Sequence, residues 1–112
     1  MQRIGLFIAS LIVAASFLAS RGMWAQQIGQ SGAGLSLAKQ ICAQCHAVDK
    51  RTVVSPDSAA PRFEVIANTP GMTSTALSAA LRTSHRKMPN LMLNPDELSN
   101  IIVYVLSLKG TD

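Results

Sequence analysis

The sequence predicts an all-α fold, a set of short helices closed by one well-marked C-terminal helix. Three observations carry that expectation. Apolar residues recur at helical spacing in several segments, as at Ala76, Leu77, Ala80 and Leu81. Helix start and stop signals bracket the last of these segments. Nothing in the chain reads as a sheet, an internal repeat or a second domain.

Taken in order, the first 25 of the 112 residues stand apart. Arg3 is followed by a run from Ile4 to Ala19 rich in Leu, Ile, Val, Phe and Ala, then Ser20-Arg21-Gly22 and Met23-Trp24-Ala25. A basic start, an apolar centre and a small residue before a plausible cut describe a secretory signal peptide. Ala25 suits the position before cleavage, although Met23 is bulkier than usual two places earlier. The alternative is an uncleaved inner-membrane anchor facing the periplasm. The 17 residues between Arg3 and Arg21 sit at the lower edge of the roughly 17–25 that a spanning helix needs. Cleavage is the expected outcome, placing the mature protein in the periplasm. The expected organisation is therefore 1–25 signal peptide, 26–34 flexible, polar and Gly-rich, and 35–112 the folded domain.

Within that domain a first short helix is expected over about Leu35–Gln40, with Leu37 and Ile41 four apart on one face. Lys50 to Ala60, containing Pro56 and Asp57, reads as an irregular loop. A short helix is expected over Arg62–Ala67, closed by Asn68-Thr69-Pro70-Gly71, and another over Thr73–Thr83. The last helix has Asn94 as N-cap, Pro95 at the first helical position and Glu97 at the capping-box position. Leu93 and Leu98 occupy the two places of a hydrophobic staple. Leu98, Ile101, Ile102 and Val105 form its apolar stripe, widened by Tyr104 and Leu108, and Lys109-Gly110 supplies a stop. Tyr104 reads as a core residue.

The formal charge of +4 falls to +2 once Arg3 and Arg21 are removed with the leader. That balance gives no argument for nucleic acid. The pairs Lys50-Arg51 and Arg86-Lys87 are too short for a binding tail and read as solvated surface; a second reading makes them part of a docking rim. The 87 residues that remain are few for a core built from protein alone.

Cys42-Ala43-Gln44-Cys45-His46 supplies the missing element, because it has the C-x-x-C-H form of a covalent haem attachment site. Two thiols add across the two haem vinyl groups, and the intervening pair sets a turn that brings both sulfurs to one porphyrin edge. The next residue, His46, can then place its imidazole beneath the iron. A thioredoxin-like pair would need a surrounding βαβ pattern. Structural zinc needs four ligands, and only two Cys and two His are present, with His46 badly placed beside Cys45. A plain disulfide leaves His46 without a role. Downstream candidates for the second iron ligand are Met72, His85, Met88 and Met92. Met88-Pro89 stands out because the proline stiffens the loop that presents the thioether. Met92 is its main competitor, with an alternative role as apolar wall beside Leu91 and Leu93.

The order of C-x-x-C-H, a Pro-containing loop, Met-Pro and a closing helix bearing Tyr-x-x-x-Leu resembles class I bacterial cytochromes c, over roughly residues 34–109. The resemblance implies a cytochrome c fold, with short helices wrapped around one covalently bound haem c. It implies His46 and Met88 as axial ligands, Cys42 and Cys45 as thioether anchors, and Pro61 as the carbonyl that meets the far nitrogen of His46. It also implies that the last helix crosses the first near Ala38. The chain departs from larger relatives in being short between Val48 and Pro61. It also lacks Trp after residue 25, which leaves haem propionates to donors such as Arg62 or Arg82.

A haem closed by His and Met has no vacant position for substrate, and the thioether raises the potential relative to two imidazoles. The expected function is one-electron transfer between a dehydrogenase or quinol-oxidising complex and a terminal oxidase or reductase. No catalytic acid–base pair is evident, since Asp96 and Glu97 belong to the helix cap. Two alternatives stand beside it. A labile Met88, with His85 as a replacement, would suit a gas sensor or peroxidase-like enzyme, and the haem domain could instead be a fixed subunit of one dehydrogenase. His85 itself reads as a surface residue beside Arg86 and Lys87.

Overall fold

In the computed structural model the described residues are 29–85 and 87–110. The expected signal peptide or anchor, and Arg86 of the second basic pair, lie outside them. Four helices are described: α1 Ser31–Ile41, α2 Phe63–Asn68, α3 Ser74–Arg82 and α4 Pro95–Leu106. Among the described residues there is no strand, only a single antiparallel bridge between His85 and Met88. No helix among them is long and apolar enough to cross a membrane.

α4 is the axis on which the others rest. Its start is set by the local chemistry of a capping box. Asn94 Oδ1 accepts from the Glu97 N–H at 2.9 Å, and Glu97 Oε2 accepts from the Asn94 N–H at 2.9 Å. Two N–H groups that helix geometry would leave orphaned are thereby satisfied. Leu98, Ile101, Tyr104 and Val105 bury one face of the helix, continued by Leu108 just beyond its end. Ile101 and Leu108 are the largest fully buried side chains described, each worth roughly 1.5–3 kcal/mol of burial.

α1 makes the most extensive helix contact, against α4, and it begins at Ser31, four residues before the expected start. The Gly-rich stretch reads as flexible in isolation, but tertiary contact holds it. The Gln30 N–H donates to Asn100 Oδ1 at 2.6 Å. A Cβ on Gly29 would run into the Ser99 backbone, and one on Gly34 would meet the Asn100 carbonyl and lie 2.6 Å from Tyr104 Cβ. The chain therefore passes close to Tyr104 at Gly34. Ala38, one turn on and fully buried, continues the same face.

The shorter helices pack around this pair. α2 buries Phe63 and Ala67, four residues apart, and ends where Asn68 changes partners. Its side-chain Nδ2 donates to the Glu64 carbonyl at 2.9 Å and toward the Leu108 carbonyl at 3.4 Å, and its Oδ1 accepts from the Gly110 N–H at 2.8 Å. That side chain ties α2 to the C-terminal end of α4. Gly71, with φ +79°, turns the chain into α3. The Thr73 hydroxyl caps α3 by accepting from the Ala76 N–H at 3.1 Å. Leu77 is the residue α3 buries.

Candidate functional site

The site begins where α1 stops. Cys42 is the C-cap residue, its N–H donating to the Ala38 carbonyl at 2.8 Å. The chain then folds back in a tight turn. The N–H groups of Cys45 and His46 both donate to the Cys42 carbonyl, at 3.1 and 2.9 Å. This turn puts the two cysteines in unlike surroundings. Cys42 is buried and Cys45 exposed, and neither is in a disulfide. Burial pushes the Cys42 thiol up to about 11, because the low-polarity surroundings disfavour the thiolate.

His46 is held by its far nitrogen. Nδ1 lies 2.6 Å from the Pro61 carbonyl oxygen. A carbonyl can only accept, so Nδ1 carries the proton and donates, and in the neutral ring Nε2 keeps its lone pair. The imidazole also meets Phe63, with ring centroids 5.5 Å apart and planes tilted by 54°. Phe63 in turn meets Tyr104 at 6.4 Å. The ring is therefore fixed from one side by a carbonyl and from another by an aromatic stack that ends in α4.

The loop from Ala47 to Arg62 is tied to this turn along its length. The Ser55 hydroxyl accepts from the Ala47 N–H at 3.0 Å. The Asp57 N–H donates to the Cys45 carbonyl at 3.1 Å, and the Phe63 N–H to the Ala47 carbonyl at 3.0 Å. The buried Tyr104 hydroxyl donates to the Val48 carbonyl at 2.5 Å. Burial and the negative charge of Asp49 raise the phenol above its ordinary range, so it stays a neutral donor. Sequence reasoning placed Tyr104 in the core but missed this bond and the Ser55 contact. The available signal was general: a buried tyrosine hydroxyl needs a partner.

The downstream candidates are placed differently from one another. Met72 is partly buried and packs against the core cluster. Met88 is half-buried, and its N–H donates to the His85 carbonyl at 3.0 Å. Met92 is 90 % exposed. His85 is exposed, with Nδ1 2.9 Å from the Thr83 carbonyl. Arg62 Nη1 is 3.4 Å from Glu64 Oε2. Arg82 lies in a shallow groove with Ser74, Thr75, Ser78, Ala79 and Ile102 that includes none of Cys42, Cys45, His46 or Met88. Among the described residues no three His, Cys, Asp or Glu side chains converge as a metal cage.

The comparison with known proteins decides the family. Over 80 residues the chain is 38% identical to cytochrome c-552 of Bradyrhizobium diazoefficiens, covering 70% of this chain and 75% of that protein. The chain belongs to the c-type cytochromes. No family model matches it, and no solved structure gives a significant match. As a small c-type cytochrome it is an electron-transport protein with the all-α cytochrome c fold, and its cofactor is covalently bound haem c.

The residues of this cytochrome fit that group. Two unbridged thiols lie in one turn, three residues apart, directly before an imidazole. The tautomer imposed by Pro61 leaves Nε2, with its lone pair, as the nitrogen available to iron.

Proposed function

We propose that this c-type cytochrome is a periplasmic one-electron carrier, in which Cys42 and Cys45 hold the haem by thioether bonds and His46 and Met88 are the axial ligands. The carbonyl of Pro61 orients the His46 ring. The observation that carries this reading is the 2.6 Å bond between His46 Nδ1 and the Pro61 carbonyl, inside the turn that also bears both cysteines. When bound, the haem supplies a one-electron couple, and the protein's task is to keep its surroundings unchanged between the two states.

This chain's residues suit that task. His46 is held by a carbonyl and a tilted aromatic neighbour, and the loop behind it is pinned at Ser55, Asp57 and Tyr104. A ligand held on several sides shifts little when the iron charge changes, which keeps reorganisation small. Met88 is followed by Pro89, which stiffens the loop that presents the thioether, and its N–H is held on the His85 carbonyl at 3.0 Å. A thioether in that position favours the ferrous state and raises the potential.

Donor and acceptor are, on this reading, a dehydrogenase or quinol-oxidising membrane complex and a terminal oxidase or reductase. Residues 1–25 are the signal peptide that exports the chain; N-terminal sequencing should begin near Gln26, and an intact Met1 would point to a retained anchor. The test of the site is an optical spectrum of the purified protein with and without carbon monoxide. A reduced low-spin c-type spectrum unmoved by carbon monoxide, with the ferric iron–sulfur band present, is expected. Rapid carbon monoxide binding or a high-spin spectrum would favour the sensor or peroxidase-like alternative. Tight co-purification with one enzyme would favour the fixed subunit.

A further inference from the structure

Arg82 stands apart from the turn that bears the cysteines and His46: it lines the groove between α3 and α4, which includes none of Cys42, Cys45, His46 or Met88. We infer that this groove binds a small organic anion, whose carboxylate or phosphate is gripped by the Arg82 guanidinium and the Ser78 hydroxyl while its apolar body covers Ile102.

Charge is the first support. Arg51 and Arg62 are ion-paired, to Asp49 and Glu64. The guanidinium of Arg82, the third described arginine, has no such partner among the described residues. The cause lies in the sequence. No Asp or Glu occurs between Glu64 and Asp96, so that stretch carries Arg82, Arg86 and Lys87 and no carboxylate to meet them. A guanidinium donates through five N–H groups, accepts nothing, and forks onto carboxylate or phosphate oxygens.

The hydroxyls beside it are the second support. On a helix, a Ser or Thr hydroxyl readily bonds the carbonyl one turn back. Thr69 does so to Val65 at 2.9 Å and Thr83 to Ala79 at 2.7 Å. Ser78 does not, and the side chains of Ser74, Thr75 and Ser78 make no hydrogen bond among the described residues. All three line the groove. Ser74, Ser78 and Arg82 follow one another at steps of four, so they share one face of α3. Neighbours at that spacing have Cβ atoms roughly 5–6 Å apart, which lets Ser78 and Arg82 reach a single oxyanion.

Shape selects the rest of the ligand. Ala79 and the partly buried Ile102 set apolar surface beside these donors. The groove measures about 490 Å³, within the roughly 300–1,000 Å³ of small-molecule sites. From Ser74 to Arg82 the helix rises about 12 Å, room for a headgroup on a chain of a few carbons. Inorganic phosphate would use the donors alone, whereas a short alkyl chain also covers Ile102. Arg82 is exposed, so binding is weak and falls with salt.

Amide chemical-shift mapping of the ferrous holoprotein tests this, with butyl phosphate, butyrate, inorganic phosphate and butylammonium titrated in turn at fixed ionic strength. Butyl phosphate and butyrate should give saturable shifts centred on Ser78, Ala79, Arg82 and Ile102. Inorganic phosphate should bind more weakly and butylammonium not at all. Arg82→Gln should weaken both organic anions about fivefold or more, and Ser78→Ala about two- to threefold, as expected for a charged and a neutral hydrogen bond at an exposed site. The haem absorption spectrum, unchanged in both variants, reports that the fold is intact. Shifts spread over Lys50, Arg51 and Lys87 as strongly as over α3 would mean general charge attraction and overturn the inference. So would the absence of saturable shifts, or shifts undiminished in Arg82→Gln. Equal affinity for inorganic phosphate would remove the apolar contact with Ile102, and with it the assignment of an organic anion.

Discussion

Cys42, Cys45 and His46 are neighbours in sequence with three different environments: a buried thiol, an exposed thiol and an imidazole fixed through Nδ1. The difference follows from the turn, which closes on the Cys42 carbonyl and turns Cys45 outward. Substituting either cysteine by alanine should leave at most one thioether. The check is the absorption of the pyridine haemochrome, together with retention of haem in acidified organic solvent. Full two-bond attachment in either variant would remove that cysteine from the site. Tyr104 acts at the same scale. Its hydroxyl is the donor that satisfies the Val48 carbonyl behind the turn that bears Cys42, Cys45 and His46. Tyr104→Phe should lower stability by about 1–2 kcal/mol in denaturant titrations, because it leaves a carbonyl in the interior without its donor. The pH dependence has a definite sign. Burial and Asp49 raise the phenol's pKa in the fold. The folded state therefore keeps that proton where the unfolded chain has lost it. Stability from Tyr104 is complete below the unfolded value of about 10 and is lost as pH rises through the folded one. Phenolate absorbance should thus appear later in the folded protein than in the unfolded chain, and Tyr104→Phe should flatten the alkaline limb of the stability curve.

At the scale of elements, the helices differ in how readable they were. The start of α4 is written in Asn94, Pro95 and Glu97, because a capping box is local chemistry and needs no knowledge of the rest of the fold. Thr73 marks α3 in the same way. The start of α1 was not legible. Gly29, Gly32 and Gly34 lower local helix propensity, and what orders the segment is its contact with Ser99, Asn100 and Tyr104, some seventy residues on. The close approach at Gly34 is hidden in the sequence for the same reason. Two substitutions separate these causes. Asn94→Ala removes a cap and should cost about 1 kcal/mol, measured by thermal or denaturant unfolding. Gly34→Ala should be destabilising by roughly 1–3 kcal/mol through overpacking against α4, although alanine favours an isolated helix by up to about 1 kcal/mol. A neutral or stabilising Gly34→Ala would mean that α1 and α4 do not approach as closely as the fold requires.

For the molecule as a whole, the C-x-x-C-H spacing is legible because its residues are consecutive, whereas the ties that hold its turn come from Ser55, Pro61 and Tyr104 across the fold. The described core is modest, with Ile101 and Leu108 its largest fully buried side chains, in a domain near the size where protein burial alone is marginal. Apoprotein produced without haem attachment should therefore lack a cooperative thermal transition in far-ultraviolet circular dichroism, while the holoprotein shows one. The central claim, a site closed by His46 and Met88, is tested most directly by nuclear magnetic resonance of the ferrous protein with labelled methionine methyl groups. A methionine ligated to the iron lies over the haem and feels its ring current, so one methyl resonance is shifted far upfield. The account predicts a single such resonance, lost in Met88→Leu and retained in Met92→Leu. Loss in Met92→Leu instead, or no upfield methyl at all in the wild-type protein, would contradict it.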